Sequence, residues 1–152
     1  MSPIILPVPH LPQPYPGECL AACSAMSLTY LGIPVSYKSL LNLLQIKRGF
    51  GTASSNIRAL KQLGVTVVYE QGTFDELYHH LNNNHPCIAF VEAGELPYWH
   101  EASSHAVLVV GLETEFVYLN DPAVAVAPIR VPWGDFDLAC LEHDEFYATF
   151  TG

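Results

Sequence analysis

The most constraining stretch of the chain runs from Gln13 to Leu31, QPYPGECLAACSAMSLTYL. Pro14, Pro16 and Gly17 break the backbone ahead of it, and Gly32 and Pro34 stop it as at a helix C-terminus. Between these stops Leu20, Ala21, Ala22, Cys23, Ala25, Met26, Leu28 and Leu31 are apolar or small. The pattern predicts a helix of roughly three turns. A helix that is apolar on almost every face must be buried, so the remaining chain has to wrap around it. Cys19 falls in its first turn, where unpaired N–H groups and the positive end of the helix dipole favour a thiolate.

Composition bounds what can do the wrapping. The 152 residues are half hydrophobic and only 14% charged, which excludes disorder and predicts one domain, 1–152, with a core of its own. A net charge of −9 argues against a nucleic-acid surface and against adsorption to anionic membrane. No apolar run is long enough to span a bilayer. Residues 1–16 lack basic residues at the front, and Pro3, Pro7, Pro9 and Pro12 interrupt them, so they do not read as a signal peptide. The four cysteines form no CxxC pair and read as reduced thiols in a cytoplasm.

Around the central helix the chain divides by period. Residues 3–16 carry half of the prolines and read as an extended arm crossing the surface. Ser36 is placed to cap a helix YKSLLNLLQI. A glycine-rich turn, Arg48 to Thr52, follows, and Ser54 or Ser55 is placed to cap a third helix that Gly64 ends. The second half turns to strands: Val65–Tyr69, Cys87–Val91, His105–Gly111, Phe116–Leu119, Ile129–Val131 and Phe146–Phe150. Thr73 to Glu76 fits a capping box for a helix reaching Asn82, and a helical turn is expected near 135–141. The expected class is α+β, a helical lobe followed by an antiparallel β-sheet lobe.

Three residues carry potential chemistry, and each alone has a structural reading. Cys19 fits a buried core cysteine, His105 a structural histidine opening a strand, and Asp121 a turn residue in Asn-Asp-Pro. Together they change meaning. His105 begins one strand and Asp121 follows the end of the next, so an antiparallel hairpin brings them side by side. The order Cys, His, Asp then reads as nucleophile, base and orienting carboxylate. His79, His80, His85 and Cys87 are close in sequence but fit no common zinc spacing, so no metal site is expected. Cys23, one turn after Cys19, reads as core.

These residues resemble a known family. Gln13 six positions before Cys19, the helix CLAACSAM ending in YLG, HAVLVVG at His105–Gly111 and YLNDPA at Tyr118–Ala123 are similar to the papain-like peptidases that remove double-glycine leaders from bacteriocin precursors. The resemblance covers the chain from about Val8 to Ala123. It implies a papain-like fold and a thiol protease with Cys19, His105 and Asp121 as triad and Gln13 as oxyanion donor. It also implies a peptide or protein substrate cut after a small, Gly-Gly-like pair, and no cofactor. In that family the peptidase is often fused to an ABC exporter; this chain lacks the membrane part and reads as a stand-alone enzyme with a possible separate exporter. The family has glycine after the nucleophile where this chain has Leu20. Leu20 is expected to narrow the substrate cleft, and Tyr98 and Trp99, just before His105, read either as a wall of that cleft or as anchors of their loop. Two other functions use the same residues: acyl transfer to an amine, and peptide binding without cleavage.

Overall fold

The computed structural model describes residues 2–47 and 49–152; Arg48 of the glycine-rich turn therefore lies outside the described residues. Its centre is an antiparallel sheet. The strands are β1 (Ile4–Ile5), β2 (Thr66–Gln71), β3 (Cys87–Glu92), β4 (Ser104–Leu112), β5 (Phe116–Asn120), β6 (Ile129–Pro132) and β7 (Phe146–Thr151). They are ordered β2-β7-β3-β4-β5-β6, with β1 pairing to the far end of β4 through Ile4 opposite Leu112. The helices are α1 (Cys19–Tyr30), α2 (Tyr37–Leu43), α3 (Phe74–Asn82) and α4 (Trp133–Leu141), with a 3₁₀ helix at Ser54–Leu63 and a short one at Ala93–Glu95.

Helices cover both faces of this sheet, which explains the unbroken apolar runs of β3 and β4. Ile88, Phe90, Ala106, Leu108 and Val110 join the core of α1, α2 and the long 3₁₀ helix. Their alternates Cys87, Ala89, Val91, Val107 and Val109 pack with Leu77 and Leu81 of α3 and Phe136, Ala139 and Cys140 of α4. The two faces thus sort by residue parity, as a pleated strand requires.

Local signals mostly act where the sequence places them. The Ser36 hydroxyl accepts from the Ser39 N–H at 3.1 Å and starts α2. Thr73 N–H donates to Glu76 Oε2 at 3.0 Å at the start of α3. Gly64, at φ 87°, ends the third helix. That helix is 3₁₀ rather than α, and its cap is Ala53, with no side-chain hydrogen bond. Ser54 does not cap it because its hydroxyl is 2.6 Å from the Tyr69 hydroxyl on β2. The arm is extended as expected, but it also adds β1 to the sheet.

Candidate active site

α1 is buried along its length because small residues let it lie against β4. Leu20, Ala21, Ala22, Cys23, Ser24, Met26, Ser27 and Leu28 are all buried. Ser24 spends its hydroxyl on the Leu20 carbonyl at 2.8 Å, so a polar side chain inside the helix does not go unsatisfied. Cys23 Sγ donates to the Ala106 carbonyl at 3.5 Å. That contact pins the first turn of α1 beside the start of β4, the strand that carries His105. Burial, with smaller contributions from Cys19 and Asp121, pushes the Cys23 thiol well above its ordinary range, which fits a packing role.

Cys19 is the first residue of α1 and is half-buried. The helix start is shaped by Gly17, whose φ of 86° is costly for a residue with a side chain. A Cβ there would sit 2.7 Å from the Phe50 carbonyl oxygen. The 49–52 turn and the chain leading into α1 are therefore packed backbone to backbone. Glu18, directly before Cys19, is buried and accepts the Tyr37 hydroxyl at 2.9 Å, tying α1 to α2.

The hairpin of β4 and β5 supplies the other two groups. Leu108 faces Asn120 across the ladder, so Asp121 emerges beside the start of β4. Its Oδ1 accepts from His105 Nε2 at 2.8 Å. Cys19 and His105 line one cavity, and with Nε2 taken by Asp121 the ring atom left free to meet a thiol is Nδ1. Burial alone would lower the imidazole pKa. The hydrogen bonds to Asp121 and Cys19, with the charges of both, outweigh it and push His105 up to about 9. Burial likewise works against the Asp121 carboxylate, but His105, Trp99 and the Ala123 N–H together hold its pKa below the ordinary value.

Asp121 is fully buried and saturated with donors. Oδ1 also accepts from Ala123 N–H at 2.9 Å, while Oδ2 accepts the Tyr98 hydroxyl at 2.7 Å and the Trp99 indole N–H at 2.9 Å. The Trp99 ring lies 4.9 Å from the His105 ring. Tyr98 and Trp99 thus make the contacts of loop anchors. They are not among the residues lining the cavity at the thiol; their polar ends are spent on the carboxylate, and one ring supports the imidazole.

The cavity at the thiol has a volume of about 270 Å³. Cys19 and His105 both open onto it, and Leu20 forms part of its wall. Other lining residues had no signal in the sequence, notably Phe90, from the middle of an apolar strand, and His143, from the turn before β7.

The proline arm is stitched to the exit of β5. Asn120 Nδ2 donates to the Val8 carbonyl at 3.2 Å, His10 Nε2 to the Asp121 carbonyl at 2.9 Å, and Gln13 N–H to the Pro122 carbonyl at 2.8 Å. Gln13 is so held one residue from Asp121's own peptide, and its side chain lines a second concavity with Pro122 and Ala123. Its buried Oε1 has no partner. His10 and Asn120 are contributors that the sequence gave no reason to single out.

Elsewhere, His80 Nε2 is 2.9 Å from the Tyr147 hydroxyl, and Cys87 is buried with Sγ directed at the His85 carbonyl. Among the described residues no three His, Cys, Asp or Glu side chains converge to hold a metal ion. No described helix is long and apolar enough to cross a membrane. The four cysteines are all free.

Comparison with known proteins places the chain in a family and the fold among solved structures. The model of the Peptidase_C39 like family matches residues 5–137. Three solved structures share the fold across nearly the whole chain. A presumed C39-like peptidase from Bacillus anthracis is 22% identical with a TM-score of 0.80, covering 100% of this chain and 98% of its own. A double glycine motif protease from an AMS/PCAT transporter, solved with its leader peptide, is 21% identical with a TM-score of 0.72 over 99% and 97%. The peptidase domain of Streptococcus ComA, a bifunctional ABC transporter of a quorum-sensing pathway, is 19% identical with a TM-score of 0.72 over 93% and 96%. No curated protein matches the chain in sequence at a significant level.

Proposed function

The chain belongs to the Peptidase_C39 like family, and from that membership we propose that it is a cysteine peptidase working through Cys19, His105 and Asp121. One observation carries this reading. A half-buried thiol and an imidazole open onto one cavity, and the imidazole is hydrogen-bonded at 2.8 Å to a buried carboxylate. His105 takes the Cys19 proton, and the thiolate attacks a peptide carbonyl carbon. Collapse of the tetrahedral adduct breaks the C–N bond as His105 returns a proton to the departing amine. Water, deprotonated by the same imidazole, then releases the acyl group as a carboxylic acid and frees the thiol. Asp121 holds the ring with Nε2–H toward itself and Nδ1 toward sulfur.

The oxyanion needs donors in place before charge develops. The Cys19 N–H, at a helix start, lacks an intrahelical partner, and the Gln13 carboxamide is the second donor in this reading. Support for Gln13 is its anchored backbone and a buried amide oxygen that nothing else uses; the two ends of a carboxamide exchange by a simple flip. The substrate in this reading is a peptide cut after a small-residue pair, with a separate exporter as a possible partner. It is supported by the similarity to the double glycine motif protease and the transporter peptidase domain. Four unpaired cysteines favour a reducing compartment, the cytoplasm.

The test is to incubate the protein with peptides carrying a central Gly-Gly or Gly-Ala and to map new termini by mass spectrometry. Wild type should cut. Cys19→Ala and His105→Ala, shown folded by circular dichroism, should not. Equal product from Cys19→Ala overturns the reading.

A further inference from the structure

The cavity at the thiol has a definite chemistry. Leu20, Phe90 and Ala106 give it apolar walls, and Ser54, Ser104 and His143 stand among the polar residues that also line it. The Phe90 wall is stiff. Tyr69 meets its ring edge to face at 5.8 Å, and the Tyr69 hydroxyl is held at 2.6 Å by Ser54. Among the described residues, no aspartate, glutamate, lysine or arginine lines the space. A basic side chain entering it would find no carboxylate, and burying a charge without a partner is costly. The His105 imidazole is already paired with the Asp121 carboxylate at 2.8 Å, which leaves an acidic side chain little to gain from it. An apolar cavity of about 150 Å³ already takes a benzene ring; this one, at about 270 Å³, has room for leucine or phenylalanine.

We propose that this cavity is a side-chain subsite for a large apolar residue of the peptide substrate, within about two residues of the scissile bond. The inference rests on the peptidase reading of the site. Because Cys19 and His105 themselves open onto the cavity, a peptide whose carbonyl reaches the sulfur lays a neighbouring side chain over it. A glycine at that position would leave the cavity unfilled and forgo burial of apolar surface. The small residues and the apolar one therefore occupy different positions along the substrate. Leu20, which the structure places in the wall, sets the size limit.

The experiment is a mixture of defined peptides that vary each residue from three before to three after a central bond. It is digested by wild type and Cys19→Ala and read by mass spectrometry. The expected profile has one position near the scissile bond where leucine, methionine or phenylalanine is preferred over glycine by about tenfold or more in kcat/KM. Leu20→Ala, a substitution that a helix tolerates, should shift that preference toward phenylalanine and tryptophan while other positions keep their profile. A merely structural loss would slow all peptides equally. Cleavage with glycine or a charged residue preferred at every position near the bond overturns the subsite and leaves the peptidase reading standing. No cleavage of any peptide overturns both. Should Leu20→Ala fail to fold, the wild-type profile alone decides.

Discussion

Trp99 and Asp121, 22 residues apart in the chain, meet through an indole N–H held 2.9 Å from Oδ2, and the same indole stands against the His105 ring at 4.9 Å. One side chain so orients both the carboxylate and the imidazole. Tyr98 donates to the same oxygen at 2.7 Å. This pair makes Asp121 a rigid partner, because all its strong acceptor directions are filled.

Removing these donors should be felt in kcat. Trp99→Phe keeps an aromatic ring on His105 and loses one hydrogen bond to a charged group, a change of about 1.5–3 kcal/mol, or roughly tenfold or more in rate. Tyr98→Phe should act alike, and the double variant should lose more than the sum. The check is kcat against KM for the three variants. The acid limb of the rate profile should also move upward, as the carboxylate loses donors that hold its pKa down. Unchanged pH profiles would make these residues mere packing.

The pH dependence of stability follows from the ion pair. His105 is raised in the fold to about 9, so its contribution is fully present below its unfolded value near pH 6.5 and is lost as pH climbs through 9. Asp121 is lowered, so its contribution is present above its unfolded value of about 3.9 and is lost as pH falls through the folded value. Thermal midpoints should be highest between about pH 4 and 6.5 and fall toward pH 9. Asp121→Asn should flatten the alkaline slope, measured by differential scanning fluorimetry.

Thiol reactivity should single out Cys19. It is half-buried where the other three are buried, and burial pushes the thiols of Cys23, Cys87 and Cys140 up. Limiting iodoacetamide on native protein, followed by peptide mapping, should place the first adduct on Cys19, and His105→Ala should slow it. First labelling at Cys87 or Cys140 would contradict the assignment.

Gln13→Ala should lower kcat by roughly 10²–10³, the usual loss of one oxyanion donor, with little change in thermal midpoint. Its backbone N–H, which holds the arm to Pro122, survives the substitution. Steady-state kinetics decide it: activity equal to wild type removes Gln13 from the site.

Gly17→Ala should cost about 1–2 kcal/mol from its left-handed backbone alone, and more from the 2.7 Å approach of Cβ to Phe50. Since Gly51 and Thr52 of the neighbouring turn line the cavity, peptide KM should rise as well. Urea melts and KM measured together test both halves; a KM change without destabilisation would contradict the backbone argument.

Much of this molecule was legible in one dimension because its signals are local. An apolar run between Pro-Gly breaks makes a buried helix wherever it is placed, and Cys19 at its start follows from those breaks. Ser36 and Thr73–Glu76 act within one turn of themselves. His105 and Asp121 meet because a short hairpin leaves antiparallel ends few alternatives. What tertiary structure alone decided involves partners distant in sequence. Ile4–Ile5, set among prolines, becomes a strand only because the end of β4 offers an edge. The Ser54 hydroxyl leaves its helix for Tyr69, and Tyr98 and Trp99, readable from sequence as cleft walls or loop anchors, spend their polar ends on Asp121. The cavity at the thiol is built from the starts of α1 and of the long 3₁₀ helix, three turns, the middle of β3 and the start of β4. No periodicity encodes such a convergence: a side chain's neighbours across the fold depend on how helices and sheet pack, and that packing is a property of the whole chain.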